Sequence, residues 1–183
     1  MSVSILSEQV TFNSSPRGRN TRAAVDLTVS ARKPDQQEFE RINNIVAAAL
    51  YTWDLPERVK RLSLPVYRYA ETDLEHMQWL LAESGDTGII GLAALEEADA
   101  AECPDSRNTL LLHGLYVDPG HHRQGVGARL IESAETLARG QGAAGLLVRA
   151  QAESQPFFAK SGYAKLPPGD DSRDYAHRYW KPI

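Results

Sequence analysis

The chain has 183 residues, 42% of them hydrophobic and 24% charged, the balance of a globular domain with a full core. A formal net charge of −4 speaks against a broad basic surface for nucleic acid, and the single cysteine, Cys103, excludes intrachain disulfides and a cysteine-rich zinc site. No apolar run approaches the roughly 20 residues of a membrane span, and residues 1–20 lack a signal-peptide core, so a cytoplasmic setting without membrane contact is expected.

Residues 1–22, with their Ser, Asn, Pro and Gly and the cluster Arg17, Arg19 and Arg22, read as a flexible N-terminal arm, and residues 23–183 as one domain. Alternation over 25–30 predicts a first strand. Asp35 and Glu38 have capping-box spacing, and Phe39, Ile42, Ile45, Val46, Ala49 and Leu50 share one stripe, which predicts a helix. Residues 56–62 predict a second helix, stopped near Pro65. Strands over 78–83 and 89–96 flank the turn 84–88 as a hairpin, and 97–108 reads as a loop. A strand over 109–117 and a helix over 125–139 follow, the helix with the stripe Val126, Leu130, Ile131, Ala134, Leu137 and Ala138 and with Gly140 as its left-handed cap. Residues 143–150 are nearly all apolar, the mark of a strand buried on both faces. A short helix over 154–161 has Pro156 in its first turn and Gly162 after its end. Strands over 163–166 and 175–181 finish the chain around the polar loop 167–174.

The segment from Leu110 to Leu130 is the most informative: an apolar strand, a turn, then a glycine-rich loop that opens into a helix. N–H groups at a helix start lack intrahelical partners and, with the helix dipole, attract anions. Gly125 and Gly127 would let a phosphate approach the main chain, with Arg123 and Gln124 as added donors. Gly120 and Gly125 have P-loop spacing, but Val126-Gly127 replaces the required Lys and Ser or Thr. Leu130 stands where a dinucleotide fingerprint needs its third glycine.

The run His122-Arg123-Gln124-Gly125-Val126-Gly127, after Val117-Asp118-Pro119, resembles the coenzyme A pyrophosphate loop of the GNAT superfamily of N-acetyltransferases, with His122 at a position usually Arg or Gln. A second stretch, Pro156-Phe157-Phe158-Ala159-Lys160-Ser161-Gly162-Tyr163, resembles the family's later helix and strand, which commonly end Phe-Tyr-x-Lys-x-Gly-Phe. The order of elements over residues 25–183 is similar to that fold as well. The resemblance implies an α/β (α+β) fold: a mixed, mostly antiparallel sheet of about six or seven strands with about four helices, splayed at the coenzyme site.

The resemblance further implies acetyl-CoA as co-substrate and no metal. The pantetheine arm would pair with the backbone of Leu115, Tyr116 and Val117, and the pyrophosphate would take N–H groups of Arg123, Gln124, Gly125, Val126, Gly127 and Ala128 beside His122. Many members use a tyrosine to protonate the leaving thiolate; this chain has Phe158 there, so that role cannot be carried over. Tyr116 and Tyr163 are the nearest phenols in sequence. His113 is the general-base candidate, since histidine titrates near neutrality and a primary ammonium must lose a proton before it attacks a thioester. The resemblance implies an acceptor pocket formed by the first two helices, their connection and the loop between the final strands, which makes Tyr51, Trp53 and Asp54 of the connection and Asp170, Asp171 and Asp174 of that loop its candidates. The expected function is N-acetyl transfer to a small-molecule or peptide amine; the alternative is a non-catalytic coenzyme A-binding module. A monomer and an edge-paired homodimer are both compatible with this reading.

Overall fold

The computed structural model describes residues 26–85, 87–167 and 177–183. In chain order they form β1 (Leu27–Ala31), α1 (Gln36–Tyr51), α2 (Glu57–Tyr67), α3 (Asp73–His76), β2 (Gln78–Ser84), β3 (Gly88–Glu97), β4 (Thr109–Val117), α4 (Val126–Gly140), β5 (Gly145–Arg149), α5 (Gln155–Lys160), β6 (Ala164–Lys165) and β7 (Arg178–Pro182). The expected arm over 1–22, Asp170, Asp171, Asp174 and the start of the last strand lie outside the described residues.

The strands make one seven-stranded sheet in the order β1-β2-β3-β4-β5-β7-β6. Among the described residues only β4 and β5 run parallel, so the sheet is mixed and mostly antiparallel, as the resemblance implied. Two helices sandwich its centre. The Asp35 side chain accepts from Glu38 N–H while the Glu38 side chain accepts from Asp35 N–H, so both orphan donors at the start of α1 are satisfied. Ile42, Ile45 and Val46 of α1 then bury against Trp79, Leu81, Leu92 and Ala94 on one sheet face. On the other face Val126, Leu130, Ile131, Ala134 and Ala138 of α4 bury against Leu80, Ile90, Ala93, Leu110, Leu112 and Leu146. Each fully buried Leu or Ile contributes about 1.5–3 kcal/mol of transfer free energy. No described helix is long and apolar enough to cross a membrane.

Three departures from the expected elements have local causes. Helix α2 continues through Pro65 to Tyr67. The proline lies in the last turn, so it forfeits one ladder bond, and the turn still closes by Arg68 N–H to the Leu64 carbonyl at 3.1 Å. Gly140 is the last helical residue of α4, and the left-handed φ of +69° falls on Gly142. Gly142 N–H reaches the Arg139 carbonyl at 3.1 Å and Ala143 N–H the Ala138 carbonyl at 3.0 Å, a closure that needs the positive φ two residues beyond the expected cap. The expected strand over 143–150 shortens to Gly145–Arg149, because Ala143 and Ala144 are engaged by that helix closure and by the Asn108 carbonyl.

Strand β4 contains the feature that shapes the centre of the molecule. Leu112 pairs with Leu95 of β3 and Gly114 with Ala94, so His113 is one extra residue in the ladder. Before this bulge Leu110 and Leu112 face α4; after it Leu115 and Val117 do, while Tyr116 turns to the α1 side. A one-residue insertion exchanges faces because strand side chains alternate with period two. Gly114 sits where there is no room for a side chain: a Cβ would overlap the Tyr69 hydroxyl and lie 2.6 Å from Tyr116 Cε2. Tyr69 is itself fixed, its N–H donating to Asn43 Oδ1 at 2.9 Å and its carbonyl accepting from Asn43 Nδ2 at 3.1 Å. Gly114→Ala is therefore expected to destabilise the protein by about 1–3 kcal/mol in urea unfolding, and Tyr69→Phe in the same chain to recover part of that loss. A Gly114→Ala protein as stable as the parent would contradict this packing.

Candidate functional site

Parallel pairing of β4 with β5 runs from Thr109–Gly145 to Leu112–Val148 and stops there. From His113 onward β4 keeps β3 on one edge and has no strand on the other. The gap opens into a cavity of about 1060 Å³. Its walls are residues 112–117 of β4, the loop and first turn of α4, the end of β5, α5, and Trp53 and Tyr67 from the α1–α2 region.

The loop from Asp118 to Gly125 is built by local hydrogen bonds. The Asp118 side chain accepts from Gly120 N–H at 2.9 Å and from Arg41 Nη2 at 2.6 Å, and Arg41 Nε donates to the Ile89 carbonyl at 3.0 Å. Partial burial opposes the Asp118 charge, but Gly120 N–H and Arg41 outweigh it and hold the carboxyl below its usual range. His122 Nε2 contacts the Val117 carbonyl at 3.0 Å, and Gln124 Nε2 donates to the Gly120 carbonyl at 3.0 Å. Arg123 and Gly125 take left-handed φ values of +59° and +87°. Such residues turn neighbouring N–H groups toward one side and favour anion binding there.

Helix α4 starts at Val126 without a side-chain cap and without an acidic residue in its first turn. The N–H groups of Val126, Gly127 and Ala128 thus form an open, electropositive end, and all three residues line the cavity. Arg129 is engaged with Glu132 at 3.2 Å.

On the β4 wall, His113 Nδ1 lies 2.8 Å from Glu96 Oε1. Its ring tilts against Tyr69 with centroids 6.0 Å apart. Tyr116 lines the same wall, and burial pushes its phenol above its ordinary range, so it keeps its proton. Tyr163 does not line the cavity; its ring packs edge-on against Phe158 with centroids 5.7 Å apart. Phe158 is buried and reaches the cavity.

The structure therefore brings His113, Leu115, Tyr116, Val117, His122, Arg123, Gly125, Val126, Gly127, Ala128, Phe158 and Trp53 together around one space. Gln124 turns instead to the Gly120 carbonyl, and Tyr51 and Asp54 are exposed outside the cavity lining. Ala49, Thr52 and Trp53 line the cavity, whereas Tyr51 closes α1 at 44% exposure and Asp54 lies beyond the helix. Sequence reading missed Tyr67 and Gln151, which meet across the gap by Gln151 Nε2 to Tyr67 Oη at 3.0 Å. Tyr67 also stacks edge-on with Trp53 at 5.2 Å. It also missed Glu96 and Arg41, whose partners are distant in the chain. No group of three His, Cys, Asp or Glu among the described residues is arranged to hold a metal ion.

Residues 47–163 match the model of the Acetyltransferase (GNAT) family, which is more than half of the chain. Over 63 residues the chain is 43% identical to aminoglycoside N(6')-acetyltransferase type 1 of Klebsiella aerogenes. That stretch is 34% of this chain and spans 41% of the Klebsiella protein, well under its full length. Among solved structures, a PaiA N-acetyltransferase of Thermoplasma acidophilum in complex with coenzyme A superimposes with a TM-score of 0.65 at 16% identity, covering 85% of this chain and 99% of that one. A GCN5-related N-acetyltransferase of Rhodopseudomonas palustris gives 0.68 at 22% identity, covering 91% and 100%. These likenesses concern the fold.

Two stability measurements check the loop. Gly125→Ala forces a Cβ into the left-handed region and is expected to cost about 1–2 kcal/mol. Gly127→Ala leaves its Cβ 3.4 Å from Phe157, within ordinary contact, and is expected to be neutral or stabilising by up to about 1 kcal/mol. Thermal unfolding that ranks the two variants the other way would refute this backbone. Because the folded Asp118 carboxyl titrates below its ordinary 3.8, its stabilising effect is complete above that value and fades as pH falls through the lower, folded value. Asp118→Asn should thus be less stable than the parent at neutral pH, with the difference in urea midpoint shrinking under strongly acidic conditions.

Proposed function

The chain belongs to the Acetyltransferase (GNAT) family, and from that premise we propose that it transfers an acetyl group from acetyl-CoA to a primary amine. The observation that carries this reading is the continuity of the open β4 edge with the uncapped start of α4 along one cavity. An extended amide-bearing arm can hydrogen-bond along a free strand edge, and a pyrophosphate suits the N–H groups that follow. Leu115, Tyr116 and Val117 would take the arm, and Arg123, Gly125, Val126, Gly127 and Ala128 the phosphates, with His122 beside them. The side chain of Gln124 would shape the loop rather than touch the ligand, since it is committed to Gly120.

In the reaction, His113 removes a proton from the acceptor ammonium. The freed amine lone pair attacks the thioester carbon, a C–N bond forms and the carbonyl electrons move to oxygen. An N–H of the bulged β4 backbone near Leu115 would stabilise that charge. Collapse then restores the carbonyl and breaks the C–S bond, the attacking nitrogen gives up its second proton to solvent, and the thiolate leaves with its electron pair. Phe158 has no proton to give, so solvent would supply the thiolate's proton. Positioning and oxyanion stabilisation supply most of the rate.

A small-molecule amine is the proposed acceptor. The name of the Klebsiella relative, an aminoglycoside acetyltransferase, supports that class. The cavity supports it too: Trp53 and Tyr67 offer aromatic surface to a cation, and Glu153 lines the same space with a carboxylate. Thiol release from acetyl-CoA across a panel of aminoglycosides, polyamines and amino acids is expected to show turnover with at least one amine. Tight acetyl-CoA binding without any turnover would leave a coenzyme-binding module instead. His113→Ala should lower kcat by about a hundredfold or more with little change in KM for acetyl-CoA; an unchanged rate would remove His113 from the mechanism.

A further inference from the structure

We propose that Glu96 is a positioning residue that selects the tautomer of His113, an inference that rests on the general-base reading of that histidine. Glu96 stands opposite Leu111 in the β3–β4 ladder. His113, two residues further along β4, therefore reaches it diagonally across the same face. The 2.8 Å contact joins Nδ1 to a carboxylate oxygen. An ionised carboxylate offers no donor, so the contact is a hydrogen bond only if Nδ1 carries the hydrogen. The opposite tautomer would set two lone pairs against each other at that distance.

A neutral imidazole has one ring hydrogen. Held on Nδ1, it leaves Nε2 as the basic nitrogen, ready to accept the proton of an ammonium. His113 lines the cavity and Glu96 does not, so the carboxylate reaches the cavity through the ring. The bulge is what makes the arrangement available. As the unmatched residue of the ladder, His113 has no cross-strand partner of its own, and its ring settles between Glu96 and Tyr69. Both neighbours come from elsewhere in the chain: Glu96 from β3, and Tyr69 from the segment after α2 that Asn43 clamps.

The test reads the ring nitrogens directly. In protein labelled with 15N-histidine, at a pH where the imidazole is neutral, long-range 1H–15N spectra distinguish a protonated Nδ1 from a protonated Nε2, and His113→Ala assigns the signal. The parent should show Nδ1 protonated. In Glu96→Gln, nearly the same shape but able to donate as well as accept, that preference should be lost. Glu96→Ala should lose it too. In both variants kcat should fall about tenfold to a hundredfold while KM for acetyl-CoA stays within about twofold. A parent His113 with its hydrogen on Nε2 overturns the inference. So do Glu96 variants at full kcat when His113→Ala is slow, an outcome that leaves the base reading intact. If His113→Ala is as fast as the parent, the base reading falls and this inference falls with it.

Discussion

The site depends on the place where two parallel strands stop pairing. β4 and β5 stay together through Leu112 and Val148, and beyond that point β4 has only β3. The His113 bulge coincides with the separation and exchanges the faces of the strand. Leu115 and Val117 come round to the α4 side, so the apolar layer under α4 continues past the break. Tyr116 goes to the other face with Tyr69. Loss of strand pairing is costly where backbone groups lose water without a partner. Here the free edge borders a cavity, where solvent or a ligand can satisfy it.

The loop after β4 meets a second constraint. An uncapped helix start concentrates positive potential, and this loop needs ties elsewhere to stay in shape. Asp118 provides one end of them through Gly120 and Arg41, and Arg41 also binds the Ile89 carbonyl of β3. The carboxylate sits at the base of the loop, with α4's first turn left free of acidic side chains. The anchoring charge and the anion-attracting end are thereby kept on separate segments.

Much of this was readable from short-range pattern. The capping box of α1, the α4 stripe, the hairpin of β2 and β3, and the glycine loop all depend on residues a few positions apart, and period and turn chemistry suffice for them. The errors also have a local logic. Pro65 reads as a stop because proline breaks helix interiors, yet in a final turn it costs one bond. Gly140 was expected to take the left-handed turn that Gly142 takes, since either glycine can adopt it and only the Ala143–Ala138 closure decides. The candidate site divides in the same way. The glycine-rich loop before α4 is legible as a motif. Glu96, Arg41, Tyr67 and Gln151 are not, because each acts through a partner set by the sheet or by helix phase rather than by spacing in the chain. Tyr51 and Asp54, which composition makes candidates for a pocket, stand outside the cavity lining, since composition carries no information on side-chain direction.

Unpaired strand edges at the rim of a sheet are hazards, since any extended chain can add to them. The edge exposed by β4 lies in the middle of the sheet, with β5 and α5 on one side and the loop before α4 on the other. Gln151 and Tyr67 bridge the opening. The same break in pairing that opens the sheet thus leaves unpaired backbone inside the fold, flanked by β5, α5 and the loop before α4, rather than along the outer rim that β1 and β6 form.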